Sequence, residues 1–195
     1  MDREHLATAL YFDNKFKCDA IKILPGEYCV SDENRLFMTT LGSCVSACLW
    51  DNERGIGGLN HFMLPGKASE NFNKSARYGN YAMEILINHL VRLGCKRKDL
   101  VAKVFGGGRV MQSLVSSDIG GDNATFIINY LNNESIPIVS SDLGGIYPRK
   151  IYFFPQTGKV MVRKLTNIHN VEEQEENYFS RVSVLDIEGE IELFE

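Results

Sequence analysis

Two residues of this chain have the chemistry of a nucleophile and its base. Cys44 follows the tight segment Leu41-Gly42-Ser43, and His61 stands seventeen residues later, after Gly57-Gly58-Leu59-Asn60 and before Phe62-Met63-Leu64-Pro65. A thiol becomes a strong nucleophile when an imidazole within hydrogen-bond reach takes or shares its proton. Gly42 and Ser43 strengthen the case for Cys44, because glycine lets backbone approach a substrate closely and the N–H groups of such a turn can hold an oxyanion. A catalytic imidazole also needs an orienting partner. Asp51 and Asn60 lie near the pair, and Thr39 and Thr40 precede the cysteine, so each is a candidate.

The other thiols and imidazoles have weaker settings. Cys29 and Cys48 read as small core hydrophobes, and Cys95, just past a helix, reads as a surface or boundary residue. His5 and His169 lie outside the apolar elements, and His89 falls within a helical periodicity. Gly106-Gly107-Gly108-Arg109 lacks the lysine and hydroxyl of a phosphate-binding loop and does not match G-x-G-x-x-G, so it reads as a strand-to-loop turn beside the site. Gly120-Gly121 and Gly144-Gly145 read as backbone turns.

The elements that must position Cys44 and His61 are a strand, a turn and a strand. Val45 to Trp50 is a short apolar run, Asp51-Asn52-Glu53-Arg54-Gly55 is a polar turn, and the next strand leads to His61. Arg35 to Thr40 forms the strand entering the cysteine, and Ile21 to Val30 is a strand broken at Pro25-Gly26. Spacings of three and four through Tyr78, Tyr81, Ala82, Ile85, Leu86, His89, Leu90 and Leu93 predict a helix, with Ser75 as N-cap, Gly94 just past its end, and a polar loop over 66–74 before it. A second helix is expected over Asn123 to Asn132 with Asp122 as N-cap. Leu100 to Phe105 and Ile136 to Ser141 are strands. Ile151 to Phe154 and Val160 to Lys164 form a hairpin through Pro155-Gln156-Thr157-Gly158-Lys159.

The chain has 195 residues and 44% hydrophobic content, enough for one globular domain with a true core. Residues 171–195 hold nine acidic residues and one arginine, a net −8, while the rest carries 16 acidic and 20 basic residues, a net +4. A mildly basic body without dense Lys/Arg runs beyond Lys96-Arg97-Lys98 argues against a nucleic-acid partner. Five cysteines without metal-site spacing suit a reduced, cytoplasmic protein. No signal-peptide pattern opens the sequence, and no apolar run approaches the roughly 20 residues that would insert into a membrane. Residues 1–20 are expected to be a poorly constrained lead-in, residues 166–178 a solvated linker, and Arg181 to Phe194 a further hairpin or an interaction tail.

Taken together, Leu41-Gly42-Ser43-Cys44-Val45 and Gly58-Leu59-Asn60-His61-Phe62-Met63-Leu64-Pro65 resemble the signature of the CheD family, the chemoreceptor glutamine deamidases. The likeness continues through Arg77-Tyr78-Gly79, Ala102 to Gly108, Asp118-Ile119-Gly120 before Asn123-Ala124, Asp142-Leu143-Gly144-Gly145, and Pro148-Arg149-Lys150 to Val160. It spans roughly residues 21–165, which the resemblance marks as a catalytic domain, and leaves 166–195 as an acidic C-terminal extension.

The resemblance implies an α+β or α/β fold of the three-layer α/β/β sandwich type, with mixed strands and two main helices. It implies hydrolysis of glutamine side chains to glutamate on the cytoplasmic helices of methyl-accepting chemotaxis receptors, with a CheC-like phosphatase as regulatory partner. By position, Cys44 is the nucleophile and His61 the general base and acid. The family's third residue is a threonine on the strand before the cysteine. Met38 stands six before Cys44, and Thr39, one residue on, is taken as its counterpart. A thiol–imidazole mechanism requires no metal and no organic cofactor. Two other readings compete: a module that binds CheC or receptor with little catalysis, and a different cysteine enzyme, such as a transglutaminase or amidase, that passes the same thioester to another acceptor.

Overall fold

The computed structural model of the chain describes residues 5–64, 72–110, 118–166 and 169–184. Among the described residues, ten strands build two five-stranded sheets. In the first, β1 (Ala9–Asp13), β2 (Cys18–Lys22), β4 (Leu36–Leu41), β9 (Arg149–Phe154) and β10 (Lys159–Lys164) lie side by side in that order. In the second, β3 (Tyr28–Ser31), β6 (Ile56–Asn60), β5 (Val45–Asp51), β7 (Val101–Gly106) and β8 (Ile138–Leu143) are neighbours in that order. Two helices, α1 (Phe72–Arg92) and α2 (Ile119–Asn133), cover the outer face of the second sheet. The result is a three-layer α/β/β sandwich with mixed strands.

The alternation of side chains along β5 explains the layering, because successive residues face opposite sides of a strand. Val45, Ala47 and Leu49 face α1 and α2, packing with Met83, Leu86, Ile87, Leu90, Ile127 and Leu131. Cys48 and Trp50 face the first sheet, packing with Phe37, Ile151 and Phe153. β5 is buried along its whole length, so it reads as a continuous apolar run instead of a half-polar strand. Parallel neighbours need a crossover between them, and α2 supplies it between β7 and β8.

α1 starts at Phe72, so Ser75 lies inside the helix instead of capping it; of the loop expected over 66–74, residues 72–74 are helical and 66–71 lie outside the described residues. Its buried stripe runs through Ala82, Met83, Leu86, Ile87 and Leu90, while Tyr81 and Leu93 are exposed. Gly94, at φ +99°, closes the helix where a left-handed residue is required, with Cys95 N–H donating back to Leu90 O. α2 begins four residues before the expected start. Asp118, not Asp122, caps it by accepting from Gly121 N–H at 3.1 Å.

The lead-in and the tail depart most from expectation. Residues assigned to a weakly patterned lead-in hold β1 and the start of β2, an antiparallel pair on the edge of the first sheet. The supposed solvated linker is a third helix, α3 (His169–Val184), where two main helices were expected. Within the hairpin expected over Arg181 to Phe194, residues 181–184 are helical and the rest lie outside the described residues.

Candidate active site

The site forms where the chain leaves β4 in one sheet and enters β5 in the other. Each carbonyl in that crossing is held from one side. Gly42 O accepts from Gly108 N–H at 2.7 Å, Ser43 O from Asn123 Nδ2 at 2.9 Å, and Cys44 O from Gly107 N–H at 2.8 Å. With its carbonyls taken, the segment turns the N–H groups of Gly42, Ser43 and Cys44 toward a single point. The triple glycine is needed for this close approach. Gly106 sits at φ +111° directly against Cys44 O, where a Cβ would collide. Asn123 also accepts from Leu64 N–H at 2.8 Å, tying α2, the nucleophile turn and the segment after His61 together.

His61 is brought to Cys44 by the register of β5 and β6. Val45 and Phe62 exchange two backbone hydrogen bonds, at 2.9 and 3.0 Å, so Cys44 and His61 flank one bridge from its two strands. The His61 backbone is clamped as well: its N–H donates to Glu27 O at 2.9 Å and its carbonyl accepts from Gly26 N–H at 2.8 Å.

Thr39 settles the ring's tautomer by proton counting. Its hydroxyl lies 2.7 Å from Ile23 O, which can only accept, so its one proton goes there. The same oxygen is 2.7 Å from His61 Nδ1 and must therefore accept from Nδ1–H. Nε2 then carries the lone pair; it is buried and has no hydrogen-bond partner among the described residues. Met38 turns to the opposite face of β4, packing with Ala20, Leu36 and Tyr152, as the two-residue period of a strand demands.

Both reactive groups are fully enclosed. Burial pushes the Cys44 thiol well above its ordinary value, and the carboxylate of Glu175 beside it pushes in the same direction. Burial lowers the His61 imidazole to about 3. Near neutral pH the enclosed pair is therefore a thiol beside a neutral imidazole.

Glu175, on α3, was not anticipated. It is 1% exposed, and its carboxylate sits where the three N–H groups converge. Oε1 accepts from Gly42 N–H at 2.8 Å and Cys44 N–H at 3.1 Å. Oε2 accepts from Ser43 N–H at 2.7 Å and Ser43 Oγ–H at 2.6 Å. The ligating atoms of Cys44, His61 and Glu175 lie within 4.8 Å of one another, a spacing that could hold a cation. The four donors aimed at the carboxylate argue against that use, because they build a positive potential suited to an anion.

The other candidate orienters serve local structure. Asp51 accepts from Glu53 N–H and Arg54 N–H in the β5–β6 turn. Asn60 accepts from Ala47 N–H at 2.9 Å and donates to Ala82 O at 2.9 Å, clipping β5, β6 and α1 together. Thr40 lines a cleft of about 470 Å³ that opens beside Thr39 and His61, with Lys22, Lys150 and Arg163 on its walls. Cys29 and Cys48 are core residues, and Cys95, expected at the surface or its boundary, is buried at 3% exposure against Leu100 and Leu90. His5 pairs with Gly26 O, and His169 opens α3. Arg149 is buried and donates to the carbonyls of Gly106, Asp142 and Gly144, which fastens the loop behind the triple glycine.

Fold and site thus define a class: a three-layer α/β/β protein whose two sheets meet at an enclosed thiol–imidazole pair facing an anion-binding turn. Among protein families, the model described as CheD chemotactic sensory transduction matches residues 63–164. Curated relatives extend the match to nearly the whole chain. The chain is 53% identical over 98% of its length to a probable chemoreceptor glutamine deamidase CheD 1 of Dechloromonas aromatica, covering 96% of that protein. It is 51% identical over 98% of its length to a probable chemoreceptor glutamine deamidase CheD of Methylobacillus flagellatus, covering 97% of it. A third, from Janthinobacterium sp., is 48% identical over all of this chain and 98% of its own. The chain belongs to the CheD family.

Proposed function

We propose that the protein is a hydrolase that deamidates glutamine side chains of chemoreceptors, working in the cytoplasm on their helical signalling regions in chemotaxis adaptation. The names of its relatives support the substrate, and the carboxylate of a glutamyl side chain lying in the anion-binding turn beside Cys44 carries the chemistry. In the proposed reaction, Nε2 of His61 takes the Cys44 proton and the thiolate attacks the carboxamide carbon. The N–H groups of Gly42 and Cys44 hold the oxyanion, where each donor is worth roughly 3–4 kcal/mol in comparable sites. The C–N bond then breaks as His61 returns the proton to departing ammonia. Water, deprotonated by His61, cleaves the thioester and leaves glutamate. Thr39 acts through His61 as a positioning residue. No described helix is long and apolar enough to cross a membrane.

The test is ammonia release from a purified chemoreceptor cytoplasmic fragment. Wild-type protein releases ammonia without any added amine, and Cys44→Ala does not while keeping its fold. Release dependent on an added amine would instead indicate a transglutaminase. A CheC-type partner is part of the same proposal. Co-purification with such a protein, and a change in the rate of ammonia release on adding it, checks that part.

A further inference from the structure

The position of Glu175 needs a physical reason, because burying a carboxylate is costly unless it is fully hydrogen-bonded. α3 presents a stripe of buried residues, Val171, Glu175, Tyr178 and Val182, at the three- and four-residue spacing of one helix face. Tyr178 and Val182 join the apolar cluster that contains Cys44. The Tyr178 hydroxyl meets that of Tyr78 on α1, and its ring packs closely over Gly26, 3.0 Å from where a Cβ would stand. The helix delivers one glutamyl side chain, flanked by apolar anchors, into the turn beside the thiol.

That is the geometry of a deamidated product. A glutamate formed from glutamine would leave its carboxylate against the same N–H groups that held the oxyanion. We infer that α3 is an internal product mimic: it occupies the groove that receives a substrate helix, with Glu175 standing in the place of the target residue. This rests on the deamidase reading and extends it in two ways. The substrate docks as a helix whose glutamine is flanked by apolar residues four before, three after and seven after it, the spacing of Val171, Tyr178 and Val182 around Glu175. The resting enzyme is closed, and α3 must leave before a receptor helix enters.

Charge and hydrogen bonding fit this role. Two donors reach each carboxylate oxygen, an arrangement that favours a glutamate over the carboxamide of a glutamine, since Ser43 N–H would face an NH₂ group. Glu175 also opposes ionisation of Cys44, so the closed form suppresses the thiolate.

Three full-length proteins test the inference: wild type, Glu175→Ala and Glu175→Gln. Removing a carboxylate with four hydrogen bonds lowers the closed population, so Cys44 in Glu175→Ala is alkylated by iodoacetamide roughly tenfold faster or more, and receptor glutamines are deamidated faster. In Glu175→Gln the tethered glutamine is itself a substrate at high effective concentration. Cys44 attacks its carboxamide, the C–N bond breaks with loss of ammonia, and water replaces the amine. The chain gains about 1 Da at residue 175, and Cys44→Ala in the same background abolishes the gain. Unchanged alkylation in Glu175→Ala, together with a stable glutamine in Glu175→Gln, overturns the inference even where wild type deamidates receptor. Conversion at residue 175 by a protein inert toward receptor fragments upholds the product mimic and removes the receptor reading alone.

Discussion

Replacing Thr39 with valine keeps the volume and β-branching of the side chain but deletes the one oxygen that joins Ile23 O to His61 Nδ1. Two buried groups then lose a partner. An unsatisfied buried polar group costs about 1–3 kcal/mol, so the two together cost roughly 2–6 kcal/mol. In a chain of this length each kcal/mol lowers Tm by about 2–4 °C, giving an expected fall of roughly 4–24 °C. The effect on catalysis is separate. Without an acceptor at Nδ1, the imidazole no longer favours the tautomer with its lone pair on Nε2. About 2 kcal/mol of lost orientation corresponds to roughly a thirtyfold drop in kcat/KM. Deamidation of a receptor fragment, followed at a temperature where both proteins are folded, measures the second effect, and a thermal melt measures the first. Thr39→Ser restores the hydroxyl and recovers most of the rate. A valine variant with the wild-type rate, or a serine variant as slow as valine, would refute the proton-counting argument.

Three further outcomes are expected. The depressed His61 pKa of about 3, against an ordinary 6.5, means the unfolded chain binds the extra proton first. This contribution to stability is fully present above about pH 6.5 and is lost as pH falls toward 3, at about 1.4 kcal/mol per pH unit. Denaturant melts of His61→Gln show a shallower loss over that window. Asn123→Ala frees Ser43 O and Leu64 N–H, costs about 2–6 kcal/mol by the same reasoning, and slows Cys44 alkylation less than it slows deamidation. Gly106→Ala places a Cβ against Cys44 O at a backbone angle of +111°, so its Tm falls more than that of an alanine substitution at Gly144, where φ is also positive but nothing lies within 4 Å of an added Cβ.

The parts of the fold that followed local rules were legible in the sequence. The β5–β6 hairpin announced itself by an apolar run, a polar turn and a glycine at φ +64°, and it is this hairpin that sets Cys44 beside His61. The choice between Met38 and Thr39 turned on a strand's two-residue period, which the pairing of β4 with β9 makes visible. The rest depended on contacts that no periodicity carries. Asn123 looked like one polar residue on a helix face, yet it tethers two segments distant in the chain. Cys95 followed a helix end but is folded under it by the turn at Gly94. Glu175 was hidden most deeply: its apolar neighbours Val171, Tyr178 and Val182 are diluted by acidic residues, so the segment read as solvated. The spacing of those three residues around Glu175 was the one available signal.

The most direct test of the central claim is peptide mass spectrometry of a receptor fragment incubated in heavy-oxygen water with wild-type protein and with Cys44→Ala. Thioester hydrolysis predicts that specific glutamines become glutamates carrying one heavy oxygen, only with the wild type. Conversion that persists in Cys44→Ala, or glutamines left unmodified by an alkylatable and folded wild type, would contradict it.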